Sequence, residues 1–233
     1  IYYNLAYDIK KKADNSPITR ADLESNNIIC KNLKKEFPKI PIISEENTTR
    51  NSKEPIFFLV DPLDGTKEFI KRNDEFTVNI ALIINRKSTL GIIDLPSKNI
   101  QYFSDGKNSF KFYNGILKKI SSSKKREKIN IVVSRSHPDE SSKNFLNSIK
   151  VKSNIIEVGS SIKFCLLAEG KVDLYYRYGN TMEWDTAAGS AIIQTAKANI
   201  INFKFKDFDY GKKNFRNSSF IVFNKNINKN LLK

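Results

Sequence analysis

The sequence predicts an α/β protein whose helices are layered against two sheets, and three observations carry that reading. Apolar, β-favouring runs alternate with segments of helical periodicity along the whole chain. A polar, lysine-rich stretch at 118–128 separates a helix-then-sheet first half from a mixed second half, which places a boundary near 122 and divides the chain into 1–122 and 123–233. With 233 residues, 39% of them hydrophobic, there is material for one large domain or two modest ones sharing an interface.

The elements follow in chain order. Thr19 can cap a helix over 20–36, with Asp22 three residues on as the acidic partner; Leu23, Ile28, Ile29, Leu33 and Phe37 suit one face before Pro38 stops it. Strands are expected at 40–44 and 56–61, and 77–85, 90–94 and 100–104 read as a meander. Beyond the connection, strands are expected at 131–134, 155–158, 172–177 and 220–223. Helices are expected at 138–149, 161–169 and 184–198, the last Ala-rich and opened by Asp185 and Thr186.

Composition narrows the function classes. The longest apolar runs, 56–60 and 80–84, fall far short of the roughly 18–20 residues that cross a bilayer. The +15 charge, from 40 Lys and Arg against 25 acids, would draw nucleic acid, anionic lipid or a phosphorylated small molecule; a Lys-, Asn- and Ile-rich composition from A/T-rich codons would give the same excess. Cys30 and Cys165 have no CxxC partner and sit in helical segments, so they read as buried thiols of a reducing, cytoplasmic compartment, with peripheral contact to an anionic membrane face left open. Ile1 in place of Met, and 2–8 without the pattern of a signal peptide, read as a cut terminus.

The chemistry concentrates at Asp61-Pro-Leu-Asp-Gly-Thr66. A buried strand leads into two carboxylates separated by a Pro-bearing turn, which can aim both acids at one point. Hard Mg²⁺ takes oxygen ligands and leaves room for water and phosphate, so Asp61, Asp64 and the Leu63 carbonyl form a suitable partial shell. Gly65 lets backbone approach closely, and Thr66 supplies a hydroxyl where free amides at the start of 67–70 could hold a phosphate. Taken alone, the segment could equally be a capped turn. Ser44-Glu45-Glu46 at a strand end, Asp22 and Asp185 at helix starts add three more acidic stations, each explicable singly as a solvated or capping acid. Together the four stations meet the needs of two-metal phosphoryl transfer. His137 is the only histidine and the cysteines are scattered, which argues against a zinc site or a Ser/His/Asp triad, and neither a P-loop nor a dinucleotide fingerprint occurs.

These residues carry a resemblance. Lys12-Ala-Asp-Asn-Ser-Pro-Ile-Thr19 with Asp22, Ser44-Glu-Glu46, Asp61 to Thr66 and Trp184-Asp-Thr-Ala-Ala-Gly189 resemble the lithium-sensitive, magnesium-dependent phosphatases of the inositol monophosphatase superfamily over most of the chain. Lys67-Glu-Phe-Ile-Lys-Arg-Asn73, Glu75-Phe-Thr-Val-Asn-Ile-Ala81, Ser134-Arg-Ser-His137 and Gly159-Ser-Ser-Ile-Lys-Phe-Cys165 look most like its CysQ-type 3′(2′),5′-bisphosphate nucleotidases. The resemblance implies an α/β/α/β/α sandwich and hydrolysis of adenosine 3′,5′-bisphosphate to AMP and phosphate in sulfur assimilation, with the sulfated nucleotide PAPS as a further substrate. It implies two or three Mg²⁺ ions held by Glu45, Asp61, the Leu63 carbonyl, Asp64 and Asp185. Asp22 and Thr66 would orient and deprotonate the attacking water, with Glu45 counted beside them and Asp22 touching a third ion. Gly65, Thr66, Ser160, Lys163, Arg177 and Asp185 would contact the nucleotide, and His137 would lie near its base. A sister phosphatase acting on inositol or sugar phosphates is the nearest alternative, and a basic nucleic-acid-binding protein on the same scaffold a distant one. The resemblance also places a first helix upstream of Ile1. Asp94 and the Lys-rich segment 197–213 depart from the pattern and read as surface drift.

Overall fold

The structure, a computed structural model, describes residues 2, 9–12, 15–47, 54–123, 127–136, 144–145, 152–179 and 181–228. A short antiparallel hairpin, β1 (Lys10–Lys11) and β2 (Pro17–Ile18), leads into α1 (Arg20–Glu36). The helix starts where predicted because Asp22 accepts the Thr19 amide at 2.7 Å while Thr19 Oγ1 accepts the Ala21 amide at 3.2 Å. Its inward face differs from the expected apolar stripe. Asp22 and Asn26 are buried, Ile29 and Leu33 lie half-buried one and two turns further on, and Leu23 and Ile28 are exposed.

The first sheet contains β3 (Ile42–Ser44), β4 (Ile56–Asp64), β5 (Thr77–Ile84), β6 (Lys87–Leu95), β7 (Ile100–Ser104), β8 (Ser109–Tyr113) and β9 (Ile116–Ile120) in that order, with α2 (Thr66–Lys71) between β4 and β5. Only the β3–β4 pair is parallel. Every second residue of β5 is buried, the period expected of a sheet with one face in the core.

The second half supplies β10 (Ile129–Ser134), β11 (Ser153–Val158), α3 (Ile162–Ala168), β12 (Leu174–Arg177), β13 (Thr181–Met182), α4 (Glu183–Thr195), β14 (Ala198–Asn202), β15 (Arg216–Asn217) and β16 (Phe220–Asn224). Its sheet has the order β11-β10-β12-β16-β14, and β13 pairs with β15 separately. α4 is buried along most of its length, as a helix in a central layer must be, and it packs on the first sheet and on α3. The approach is close. A Cβ at Gly91 would lie 2.5 Å from the Ala188 carbonyl oxygen, and one at Gly189 would lie 2.3 Å from the Phe164 ring. One core cluster therefore runs from Phe57, Leu59 and Ile83 through α3 and α4 to Tyr175 and Phe220. On the outer side of the second sheet, Phe145 from a helical segment packs against the Tyr176, Tyr178 and Phe203 rings and a cluster that contains Ile131 and Phe223. The chain is a layered α/β/α/β/α sandwich.

Several expectations need correction. The meander has two further strands, β8 and β9, and β9 takes the first residues of the segment read as connection. α4 stops at Thr195, and Ala198 begins a strand instead of ending the helix. The segment 197–213 is not surface drift: Ile200, Phe208 and Tyr210 are core residues whose lysine neighbours masked them. Asp94 is half-buried on β6, and burial raises its carboxyl. Both cysteines are free, with Cys165 buried as expected but Cys30 only partly so. The helix predicted at 138–149 lies outside the described residues apart from 144–145, which are helical.

Candidate metal and phosphate site

β4 positions the central pair of acids through a bulge where the sequence pointed to a turn. The strand continues through Pro62, with Asp61 paired to Asn79 and Asp64 to Thr77. Three steps on β4 thus match two on β5, and this single extra residue brings Asp61 and Asp64 to the same face. On the neighbouring strand the Glu45 amide donates to the Val60 carbonyl at 3.1 Å, which holds Glu45 beside Asp61. α4 contributes Asp185, whose Oδ2 accepts the Met182 amide at 2.8 Å in the first turn. Carboxylate oxygens of Glu45, Asp61 and Asp185 lie within 4.8 Å of one another.

The electrostatics show which ion this arrangement suits. Burial, then the charges of Glu45, Asp64 and Asp185, pushes Asp61 well above the usual carboxylate range, and burial followed by Asp64 and Glu45 does the same to Asp185. Asp64 is raised to about 6, chiefly by burial, against the pull of Lys163, the Ser161 amide and Asn79. A buried all-oxygen cluster of like charges suits a hard divalent cation, so these residues fit Mg²⁺. Lys12, from the hairpin, lies 2.6 Å from both Glu45 and Glu46 and partly balances them.

Asp22 combines the two roles the sequence left open. Oδ2 closes the α1 cap by accepting Thr19 Oγ1 at 2.6 Å, while Oδ1 lies 3.2 Å from the Thr66 hydroxyl. The same hydroxyl is 3.4 Å from the Leu63 carbonyl. Burial raises the Asp22 carboxyl, and bonds from Thr19 and Thr66 oppose the rise. Gly65 precedes Thr66 at φ +90°, and a Cβ there would stand 3.1 Å from both the Glu75 carbonyl oxygen and Ser160 Cβ.

Ser160, Lys163 and Arg177 line the same cleft, of about 190 Å³, as Glu45, Asp64 and Asp185. Ser160 has φ +47°, a left-handed conformation unusual for serine. The Lys163 ammonium donates to the Val158 and Ser160 carbonyls and sits 5.4 Å over the Tyr175 ring; burial lowers its amine to about 8. Arg177 ends β12 at the cleft wall. His137 lies outside the described residues.

Other residues that join the site received no role from sequence. Ser161 donates its amide to Asp64 Oδ2 at 2.5 Å, and its hydroxyl meets Thr77 and Asn79, each at 2.7 Å. Glu68 is buried beside Gly159 and accepts the Ser136 hydroxyl. Glu68 and Ser161 stand next to predicted site residues, but their contacts cross between halves and have no local pattern.

The model of the inositol monophosphatase family matches residues 3–233. The chain belongs to this family. Within it, the 3′(2′),5′-bisphosphate nucleotidase CysQ of Escherichia coli strain K12 is 42% identical over 219 residues, covering 92% of this chain and 88% of its own. CysQ of Buchnera aphidicola from Acyrthosiphon pisum is 43% identical over 228 residues, 94% of this chain and 83% of its own. Among solved structures, CysQ from Bacteroides thetaiotaomicron superposes with a TM-score of 0.83 at 35% identity, covering 96% of this chain and 90% of that one. The Bacteroides thetaiotaomicron structure shares the layered fold described above.

Proposed function

We propose that the chain is a magnesium-dependent 3′(2′),5′-bisphosphate nucleotidase that hydrolyses the 3′-phosphate of adenosine 3′,5′-bisphosphate, and also of PAPS, in sulfur assimilation. The observation that carries this is one cleft lined by the acids Glu45, Asp64 and Asp185 together with Lys163 and Arg177, in a chain 42% identical to a CysQ nucleotidase. Glu45, Asp61, the Leu63 carbonyl, Asp64 and Asp185 would hold two Mg²⁺ ions, with Asp22 touching a third. Bound Mg²⁺ would neutralise phosphoryl charge and acidify a water.

The chain's own groups do the rest. With Asp22 Oδ1 accepting the Thr66 proton, the Thr66 oxygen can accept a hydrogen bond from the attacking water and orient it. Gly65, whose φ is +90°, and the start of α2 are where the scissile phosphate would approach the backbone. Ser160, Lys163 and Arg177 neutralise and position the second phosphate, which supplies binding energy away from the reacting centre. Free cysteines support a cytoplasmic setting.

Phosphate release from adenosine 3′,5′-bisphosphate should require Mg²⁺, be inhibited by Li⁺, and exceed that from inositol 1-phosphate by about tenfold or more in kcat/KM. A preference for the inositol ester would reassign the substrate within the family. Salt-sensitive RNA binding without hydrolysis would reject the enzymatic reading altogether.

A further inference from the structure

We propose that Glu75, which does not line the cleft, is a positioning residue that holds the turn 159–161 in place and thereby sets the selectivity for a substrate carrying a second phosphate. The inference rests on the nucleotidase reading. Its main chain touches one side of the site, where the Glu75 carbonyl oxygen abuts Gly65 beside Thr66. Its side chain grips the other. Glu75 Oε2 accepts the Gly159 amide at 2.8 Å and Arg135 Nε at 2.8 Å, and Oε1 accepts Arg135 Nη2 at 2.9 Å. Arg135 Nη2 also donates to the Glu157 carbonyl at 2.6 Å, so the bidentate pair holds the chain entering the turn.

The turn is clamped at both ends. Glu75 takes the Gly159 amide and Asp64 takes the Ser161 amide, and between them Ser160 adopts its left-handed conformation. That conformation is disfavoured for a residue with a Cβ, and it persists where the surroundings hold it. Ser160 and Val158 carbonyls in turn anchor the Lys163 ammonium. Loss of the Glu75 clamp would let Ser160 relax and move Lys163 away from the second phosphate. The scissile side would keep its Asp64–Ser161 bond.

The test compares adenosine 3′,5′-bisphosphate with adenosine 3′-monophosphate, which lacks the second phosphate. Glu75→Ala should raise KM for the bisphosphate about tenfold with kcat within about twofold, and leave kcat/KM for the monophosphate within about twofold. Glu75→Gln keeps an oxygen for the Gly159 amide and should recover most of the KM. Arg135→Lys, at a partly exposed position, should raise it about threefold and carries the test with Glu75→Gln if the alanine variant does not fold. Equal losses on both substrates would mark a structural role. A lowered or unchanged bisphosphate KM would also overturn the proposal, since removal of a negative charge without loss of geometry favours an anionic ligand. Wild-type enzyme inactive on the bisphosphate would overturn the nucleotidase reading along with it. Wild-type activity with no shift in selectivity would overturn this inference alone.

Discussion

Asp61 is 1% exposed, beneath Glu45 and Asp185 and on the same face as Asp64, so the folded protein confines several carboxylates in a poorly solvated volume. Such a group is costly to bury ionised, and its neighbours raise the cost. Asp61→Asn removes one charge at nearly constant shape. Phosphatase activity is expected to fall at least about a hundredfold if Asp61 holds Mg²⁺ as proposed. In EDTA the same variant should be more stable by about 1 kcal/mol, or roughly 2–4 °C in Tm, because repulsion is relieved. Thermal unfolding in EDTA checks the second half; a lower Tm would mean that Asp61 is stabilised by contacts its charge makes.

The central helix α4 joins packing to chemistry. Its Trp184, Ala187, Ala188 and Ile192 lie in the core while Asp185, in the first turn, faces the other acids. Gly91 on β6 is what lets it come so close, since any side chain there meets the Ala188 backbone, which cannot rotate away. Gly91→Ala should destabilise the protein by about 1–3 kcal/mol, read as a lowered urea midpoint with unchanged slope. Because α4 carries Asp185, the variant should also need more Mg²⁺ for half-maximal activity. Loss of stability without a change in Mg²⁺ requirement would show that the helix absorbs the strain away from its first turn.

For the whole molecule, the raised carboxyls give a pH dependence of definite sign. Asp61, Asp64 and Asp185 hold protons more tightly in the folded chain than in the unfolded one. Their protonated forms therefore favour folding below the ordinary carboxylate range, and the contribution declines as pH rises, the share of Asp64 being lost through about 6. In EDTA, Tm should decline across this interval, and Asp64→Asn should flatten the decline. Added Mg²⁺ should raise Tm more at about pH 7.5 than at about pH 5, because protons no longer occupy the ligands. A metal-induced rise independent of pH would show that other groups dominate.

Local chemistry was legible from residue order. Thr19 and Asp22 announce the start of α1, alternating apolar residues mark the strands, and Asp61 to Thr66 names its ligand chemistry through residue type and spacing. The inward face of α1 was misread because burial there follows the polar Asp22, bonded to Thr66, and Asn26, bonded to Ser44, and an apolar stripe was the only available guide. β9 was hidden by the lysines that made 118–128 read as a connection, although it pairs with β8 next to it in sequence, and the core residues of 197–213 stand among lysines too. The candidate site divides in the same way. Its acids could be named one by one, but the β4 bulge that aligns Asp61 with Asp64 depends on pairing to β5, and the clamp from Glu75 and Asp64 onto 159–161 joins elements more than eighty residues apart. Residue identity sets which charges and donors a chain can offer; only long-range pairing and close packing set the distances between them.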